Sequence, residues 1–184
     1  MDACDSLRLT FPAWSTQPDD SEASIHGFHV ASAQIPMRSL TASRSEMTAV
    51  LTAARAAAVS AYAPFSRFRV GAAVIMDDDP ERATIPGANV ENSAYGLTQC
   101  AERTALQSAA SRGFRRLRYL ALTCLDSPPN APLSQRMPCG ACRQVIREFG
   151  DANTLILVDR ITPSFAADVF DVERLLPLAF RFTP

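Results

Sequence analysis

The chain has 184 residues, 47% of them hydrophobic, with 18 basic and 19 acidic side chains and a net charge of −1. That length suffices for one domain with a sizeable core plus an extension, and the near-neutral balance leaves no electrostatic footprint for a nucleic-acid partner. All 18 basic residues are arginine, which excludes Schiff-base and lysine-nucleophile chemistry. Five cysteines, an odd number, no secretory apolar stretch at the start, and Asp2, Asp5, Asp19 and Asp20 near it argue against a leader sequence. No apolar run is long enough to span a membrane. The expectation is a cytoplasmic protein with no membrane partner, whose thiols serve a metal.

Residues 1–42 are poorly periodic and punctuated by Ser, Thr, Pro and Asp, and are expected to be a partly disordered extension. His26 and His29 read as tail residues without a metal role, and Trp14 and Phe28 could dock on the domain surface. Residues 43–184 form the expected catalytic domain. A helix is expected over 43–61, with Ser43 and Glu46 as a capping box. Met47, Val50, Leu51, Ala54, Ala58 and Ala61 make its apolar stripe, and Pro64 follows its end. Residues 68–76 read as a strand, Asp77-Asp78-Asp79-Pro80 as a solvated turn, and 85–90 as the returning strand. A second helix covers 100–112 with Gly113 as its stop, and a strand covers 119–125. A loop runs to Met137, followed by a third helix over 139–149 that stops at Gly150. Strands are expected over 154–158 and 168–170, with Asp171 capping a last turn to Leu176. This order predicts a layered helix-and-sheet domain without a repeat.

Two segments carry the chemistry: Cys100-Ala101-Glu102-Arg103 and Pro138-Cys139-Gly140-Ala141-Cys142-Arg143. Cys100 opens one expected helix, and Cys139 and Cys142 open another, where helix N-termini stabilise thiolates. The i, i+3 spacing puts Cys139 and Cys142 on one face of a first turn. Three thiolates are a zinc ligand set with one position left open, which is the arrangement of a catalytic site. Glu102 is placed to move protons. Cys-x-Glu followed by Pro-Cys-x-x-Cys is a three-cysteine form of the zinc-deaminase signature. Three thiolates on Zn²⁺ leave a net charge of −1, so Arg103 and Arg143 are expected to donate hydrogen bonds to the sulfurs. A structural zinc would need a fourth ligand. The spare cysteines are Cys124, a core residue of an expected strand, and Cys4 in the tail. A redox Cys-x-x-Cys would leave Glu102 without a role.

With these motifs stand Phe65-Ser66-Arg67-Phe68-Arg69-Val70-Gly71-Ala72-Ala73 and Gly87-Ala88-Asn89-Val90-Glu91-Asn92-Ser93-Ala94-Tyr95-Gly96. Over about residues 46–180 the chain resembles the cytidine deaminase family, in its short, homotetrameric, three-cysteine branch. The resemblance implies a three-layer α/β/α domain with a five-stranded mixed sheet, and cytidine and 2′-deoxycytidine as substrates in pyrimidine salvage. It implies that Cys100, Cys139 and Cys142 bind zinc and that Glu102 shuttles protons. Asn89 and Glu91 would hold the ribose, Phe68 would pack on the pyrimidine, and the Ala101 N–H would meet the base carbonyl. Ala94 and Tyr95 would come from a neighbouring subunit, and Phe180 from another. The chain departs from the family in carrying Phe65 where Tyr is common, and in a longer, more acidic hairpin over 76–86.

The expected reaction is hydrolytic, with attack on C4 of the cytosine ring and loss of ammonia. An aminopyrimidine antibiotic is the alternative substrate, against which Asn89 and Glu91 argue for a ribose. A polynucleotide substrate is disfavoured because no aromatic-and-basic channel is evident. The one basic cluster, Arg112, Arg115, Arg116 and Arg118, reads as a solvated helix end. A zinc-stabilised scaffold without activity would be expected to have lost Glu102.

Overall fold

The computed structural model describes residues 5–15, 24–25, 28–29, 34–35, 38–128, 131–162 and 166–182. Strands β1 (Ser6–Phe11) and β2 (Arg38–Ser43) lead into helix α1 (Arg44–Val59). Then come β3 (Val70–Met76), β4 (Ile85–Ala88), α2 (Ala101–Ser111), β5 (Leu117–Cys124), α3 (Gly140–Phe149), β6 (Gly150–Asp159), β7 (Ala167–Asp171) and α4 (Val172–Leu175). Two-residue antiparallel ladders join Trp14–Ser15 to Gln34–Ile35 and Ser24–Ile25 to Phe28–His29.

The main sheet has the order β7-β6-β5-β3-β4. Its β5–β6 pair is parallel and the others are antiparallel. A parallel neighbour requires a crossover, and α3 supplies it. Alternation along β3 divides the core. Ala73 and Ile75 face α1, where they meet Val50, Leu51, Ala54, Tyr119 and Leu157. Ala72, Val74 and Met76 face α2 and α3, where they meet Ala105, Leu106, Ala109 and Ile146. The result is the expected three-layer α/β/α domain with a five-stranded mixed sheet.

Two glycines set the spacing of the layers. A Cβ on Gly71 would lie 2.1 Å from the Ala54 carbonyl oxygen and 2.4 Å from the Ala58 nitrogen. A Cβ on Gly87 would lie 2.4 Å from the Ala105 nitrogen and 2.7 Å from the Ala101 carbonyl oxygen. The backbones of α1 and α2 therefore rest directly on the sheet, one on each face. The Gly87 contact fixes the height of the first turns of α2, where Glu102 lies.

The structure departs from the sequence expectations in three places. First, β1 and β2, within the expected extension, pair antiparallel from Ser6↔Ser43 to Phe11↔Arg38. Phe11 and Ala42 are buried in the α1-side core, with Leu7, Leu9 and Leu40 packed against it. Asp5 accepts from Ser43 Oγ (2.6 Å), Ser45 N (2.8 Å) and Ser45 Oγ (2.9 Å), adding a carboxylate to the start of α1. Second, the capping box is half formed. Ser43 Oγ accepts from Glu46 N at 3.2 Å, but the Glu46 carboxylate pairs with Arg82. The Ser43 N–H instead donates to the buried Tyr119 hydroxyl at 2.9 Å. Third, the Asp77–Asp79 run is not a solvated turn. Asp77 pairs with Arg82 at 2.9 Å, and Asp78 accepts from the backbone of Arg115 and Arg116. Asp79 is buried and accepts from Glu81 N and Ala83 N. Asp77 and Asp79 are satisfied within the turn itself, and only Asp78 meets donors remote in sequence.

Asp159 is fully buried at the end of β6. Its carboxylate takes a two-pronged bond from Arg55 (both 2.7 Å), one from Thr123 Oγ1 (2.6 Å) and one from Ile161 N (2.8 Å). Burial alone would raise its pKa, but these donors outweigh it and hold the carboxyl below 3.8. A depressed carboxyl contributes stability above its unfolded value and loses that contribution as pH falls through the folded one. Asp159→Asn is therefore expected to cost about 2–3 kcal/mol near neutral pH. Its deficit relative to wild type should shrink below about pH 4 in denaturant titrations; a deficit constant with pH would contradict the assignment. Gly71→Ala should destabilise by about 3 kcal/mol, read as a fall in Tm of roughly 6–12 °C.

Candidate active site

Cys100 and Cys139 are the N-cap residues of α2 and α3. Both have extended backbones, as N-caps do, so each chain turns into its helix with the side chain at the positive end. Cys139 Sγ also accepts from Cys142 N at 3.4 Å. The Cys100 and Cys139 sulfurs are 4.0 Å apart, and those of Cys139 and Cys142 3.2 Å. All three sulfurs lie within 4.8 Å of one another. Sulfurs around a tetrahedral zinc at 2.3 Å would be about 3.8 Å apart, so the donor set fits one zinc ion, in number, type and spacing. Among the described residues this is the one such group of Cys, His, Asp or Glu.

The electrostatics favour a thiolate at Cys100. Cys100 is pulled down to about 5 by a hydrogen bond from the Cys142 thiol and by Arg103. Cys142, the donor of that bond and itself buried, is shifted upward. Arg103 Nη2 lies 3.8 Å from Cys100 Sγ and donates to the Thr98 carbonyl at 2.8 Å. Arg143 differs from expectation. Its Nε donates to the Pro138 carbonyl at 2.8 Å and its Nη1 to the Leu175 carbonyl at 3.2 Å. It braces the backbone just before Cys139 and the end of α4, and it makes no described bond to sulfur. Its position after Cys142 sends the side chain along α3 and away from the thiols. Cys124 is pushed up to about 12 by burial, the behaviour of a core thiol.

Glu102 is 3% exposed, in the first turn of α2. Burial lifts its carboxyl to about 7. It lines a cavity of about 280 Å³ together with Cys100, Ala101, Cys139, Phe68, Asn89 and Glu91. The fold thus gathers seven of the sequence-predicted residues from four stretches of chain. The Ala101 N–H belongs to the first turn of α2, where the helix offers no acceptor of its own.

Asn89 and Glu91 also have structural partners. Asn89, 8% exposed, donates from Nδ2 to the Phe68 carbonyl (2.9 Å) and accepts at Oδ1 from Val70 N (2.8 Å). Glu91 Oε2 accepts from Phe65 N (2.9 Å) and Ser66 N (3.2 Å). The Ser66 hydroxyl and these N–H groups hold its carboxyl below the usual range. Ala94 and Tyr95 lie outside the cavity. Tyr95 is 77% exposed, in an edge-on contact with Phe65 at 6.3 Å between ring centroids. Phe180 is 74% exposed, its carbonyl accepting from Gln144 Nε2 at 3.0 Å. None of the three reaches the cavity of its own chain. His26 and Cys4 lie outside the described residues, and of His29 only its place in the short ladder is described. Leu122, Gln135 and Met137 also line the cavity. No motif flagged them, because they are exposed to the cavity only through strand alternation and the course of the loop before Cys139.

Three thiols with room for a fourth ligand, a buried carboxylate beside them and a cavity at the ends of two helices define a zinc-dependent hydrolytic site. A family profile described as the cytidine and deoxycytidylate deaminase zinc-binding region matches residues 44–158. The chain is 44% identical over 120 residues to a cytidine deaminase of Halalkalibacterium halodurans, covering 65% of this chain and 83% of that one. It is 43% identical over 126 residues to the Mycobacterium tuberculosis cytidine deaminase, covering 64% and 88%. A crystal structure of the Burkholderia pseudomallei cytidine deaminase superposes with a TM-score of 0.61 at 40% identity, covering 72% and 97%. The chain belongs to the cytidine deaminase family.

Replacing a fully buried ligand candidate tests the metal site. Cys142→Ser should reduce zinc from stoichiometric to a small residue by elemental analysis, since a hydroxyl is a far poorer zinc ligand than a thiolate. Full zinc retention would remove Cys142 from the ligand set.

Proposed function

We propose that the protein deaminates cytidine and 2′-deoxycytidine by hydrolysis, giving uridine and 2′-deoxyuridine and releasing ammonia, as an enzyme of pyrimidine salvage. The observation that carries this reading is one cavity lined by Cys100 and Cys139 of the three-thiol group, the buried Glu102 carboxyl and the polar pair Asn89 and Glu91, with Cys142 buried beside them. Cys100, Cys139 and Cys142 would hold the zinc. Bound zinc supplies Lewis acidity, making water acidic enough to be a nucleophile near neutral pH. Arg103 offsets the excess negative charge of three thiolates.

Glu102 moves the protons. With its carboxyl near 7, both protonation states are populated at neutral pH, which suits a group that must accept and then donate. Water adds its oxygen to C4 of the pyrimidine. One water proton goes to Glu102, which delivers it to N3; as the C4 carbonyl forms, Glu102 takes the proton of the new C4 hydroxyl and delivers it to the departing amine. The C4–N4 bond breaks, ammonia leaves and the carboxylate is regenerated. Phe68 packs on the ring, the Ala101 N–H faces the base carbonyl, and Glu91 and Asn89 take the sugar hydroxyls with the donor and acceptor capacity left after their backbone bonds.

We take residues 43–184 as the catalytic domain and 1–42 as its extension, supported by a family match that begins at residue 44. We further take the working form to be a cytoplasmic homotetramer with shared sites. In support, Tyr62, Phe65, Tyr95, Leu97, Phe180 and Phe182 are more than half exposed, and Phe65 and Tyr95 lie together, as apolar side chains at an interaction surface do. Ala94, Tyr95 and Phe180 would then complete a neighbour's cavity.

Glu102→Gln should keep its zinc and lose turnover of cytidine by about 10²–10⁴-fold, followed by the absorbance change to uridine. Near-normal turnover would reject the proton role. Free cytosine and blasticidin S, run in parallel on the wild type, separate a nucleoside site from one for other aminopyrimidines.

A further inference from the structure

The cavity has two facing walls that come from distant parts of the chain. One is the segment before β3, which carries Ser66 and Phe68; the other is the loop after β5, which carries Gln135 and Met137 and leads to Cys139. The β3–β5 ladder, which begins at Val70 opposite Cys124, joins their bases, and one residue pair extends the tie beyond it. Asp126, the second residue after β5, accepts three bonds from Arg69: from its backbone N at 2.7 Å, its Nε at 3.0 Å and its Nη2 at 2.6 Å. Leu125 N donates back to the Arg69 carbonyl at 2.9 Å. Phe68 therefore sits next to a residue held at its N–H, its carbonyl and its side chain by the opposite wall.

The segment needs such a hold. Arg67 has φ +55°, in the left-handed region that disfavours a side chain. The other bonds on the segment come from its own side, from Ala63 O and Ser66 Oγ, or from the stretch after β4 that carries Asn89 and Glu91. Among the described hydrogen bonds, those of Arg69 alone reach the wall that leads to Cys139. The pair is 44% and 27% exposed, and ion pairs this exposed add little to stability. Its geometry, a guanidinium fork plus a backbone N–H on one carboxylate, fixes position and direction instead.

We propose that Arg69 and Asp126 are positioning residues that set the width of the slot between Phe68 and the Met137 wall, and thereby the binding of the pyrimidine ring. This rests on the deaminase reading given above. A slot of the wrong width weakens binding in ground state and transition state alike, which appears in KM rather than in kcat.

The test uses the full chain with zinc. Asp126→Ala should raise KM for cytidine about tenfold and weaken uridine binding, measured by calorimetry, by a similar factor. Its kcat should stay within about threefold and its Tm within about 3 °C of wild type. Arg69→Gln, which keeps the backbone N–H bond, should give the same pattern at smaller size, so the test survives if one variant fails to fold. Added salt should raise the wild-type KM and leave that of Asp126→Ala flat, since the pair is open to screening. Unchanged KM and uridine affinity in both variants would overturn the clamp. A parallel loss of kcat and Tm without a KM change would reduce the pair to a structural role and overturn it equally. A wild-type enzyme that leaves cytidine untouched would reject the deaminase reading itself.

Discussion

Three sulfurs from two helices have to meet, and most of the fold follows from that requirement. Thiolates repel one another, so they converge only where positive charge waits. Here the N-termini of α2 and α3 and the Arg103 guanidinium provide it. Each helix is held at its height by the sheet. Gly87 lets α2 rest on β4, and α3 lies on the crossover into the parallel pair of β5 and β6. The same convergence buries Glu102, because the second residue of α2 faces inward and not toward solvent. Its raised pKa is thus a by-product of the geometry that gathers the thiols.

The site was more legible in the sequence than the fold around it. Helix starts are written locally, by caps and by the change of period, so Cys100, Cys139 and Asp171 could be placed at helix starts from their neighbours alone. Strand partners are not local. Leu7, Leu9 and Phe11 alternate as a strand should, but the strand that receives them begins at Arg38, and the polar chain between conceals the pairing. Part of the Asp77–Asp79 run is hidden for the same reason: the donors of Asp78, Arg115 and Arg116, become its neighbours only when β3 and β5 pair. Arg143 was misread from adjacency: a residue beside a ligand in sequence points about 100° away from it on a helix.

Asn89 and Glu91 each serve two purposes. Both belong to the cavity, and both bind the backbone of the segment that carries Phe68. A nucleoside that engages them therefore presses on a frame already joined to the aromatic wall, so sugar and base contacts are mechanically coupled. This arrangement also explains why the segment before β3 can keep a left-handed arginine at position 67: the strain there is offset by hydrogen bonds on both sides of it.

The distribution of the site along the chain has a consequence for how the protein is made. Cys100 and Cys139 are 39 positions apart, and β5, α3 and β6 must all be in place before their sulfurs meet. At translation rates of about 5–20 residues per second, the first thiol spends seconds exposed before its partners emerge. Sheet pairings between remote segments then form late, as long-range contacts do. A complete three-thiol site therefore exists only once the domain is nearly finished. Until then the site's thiols are open to oxidation or to capture by whatever else in the cell binds sulfur.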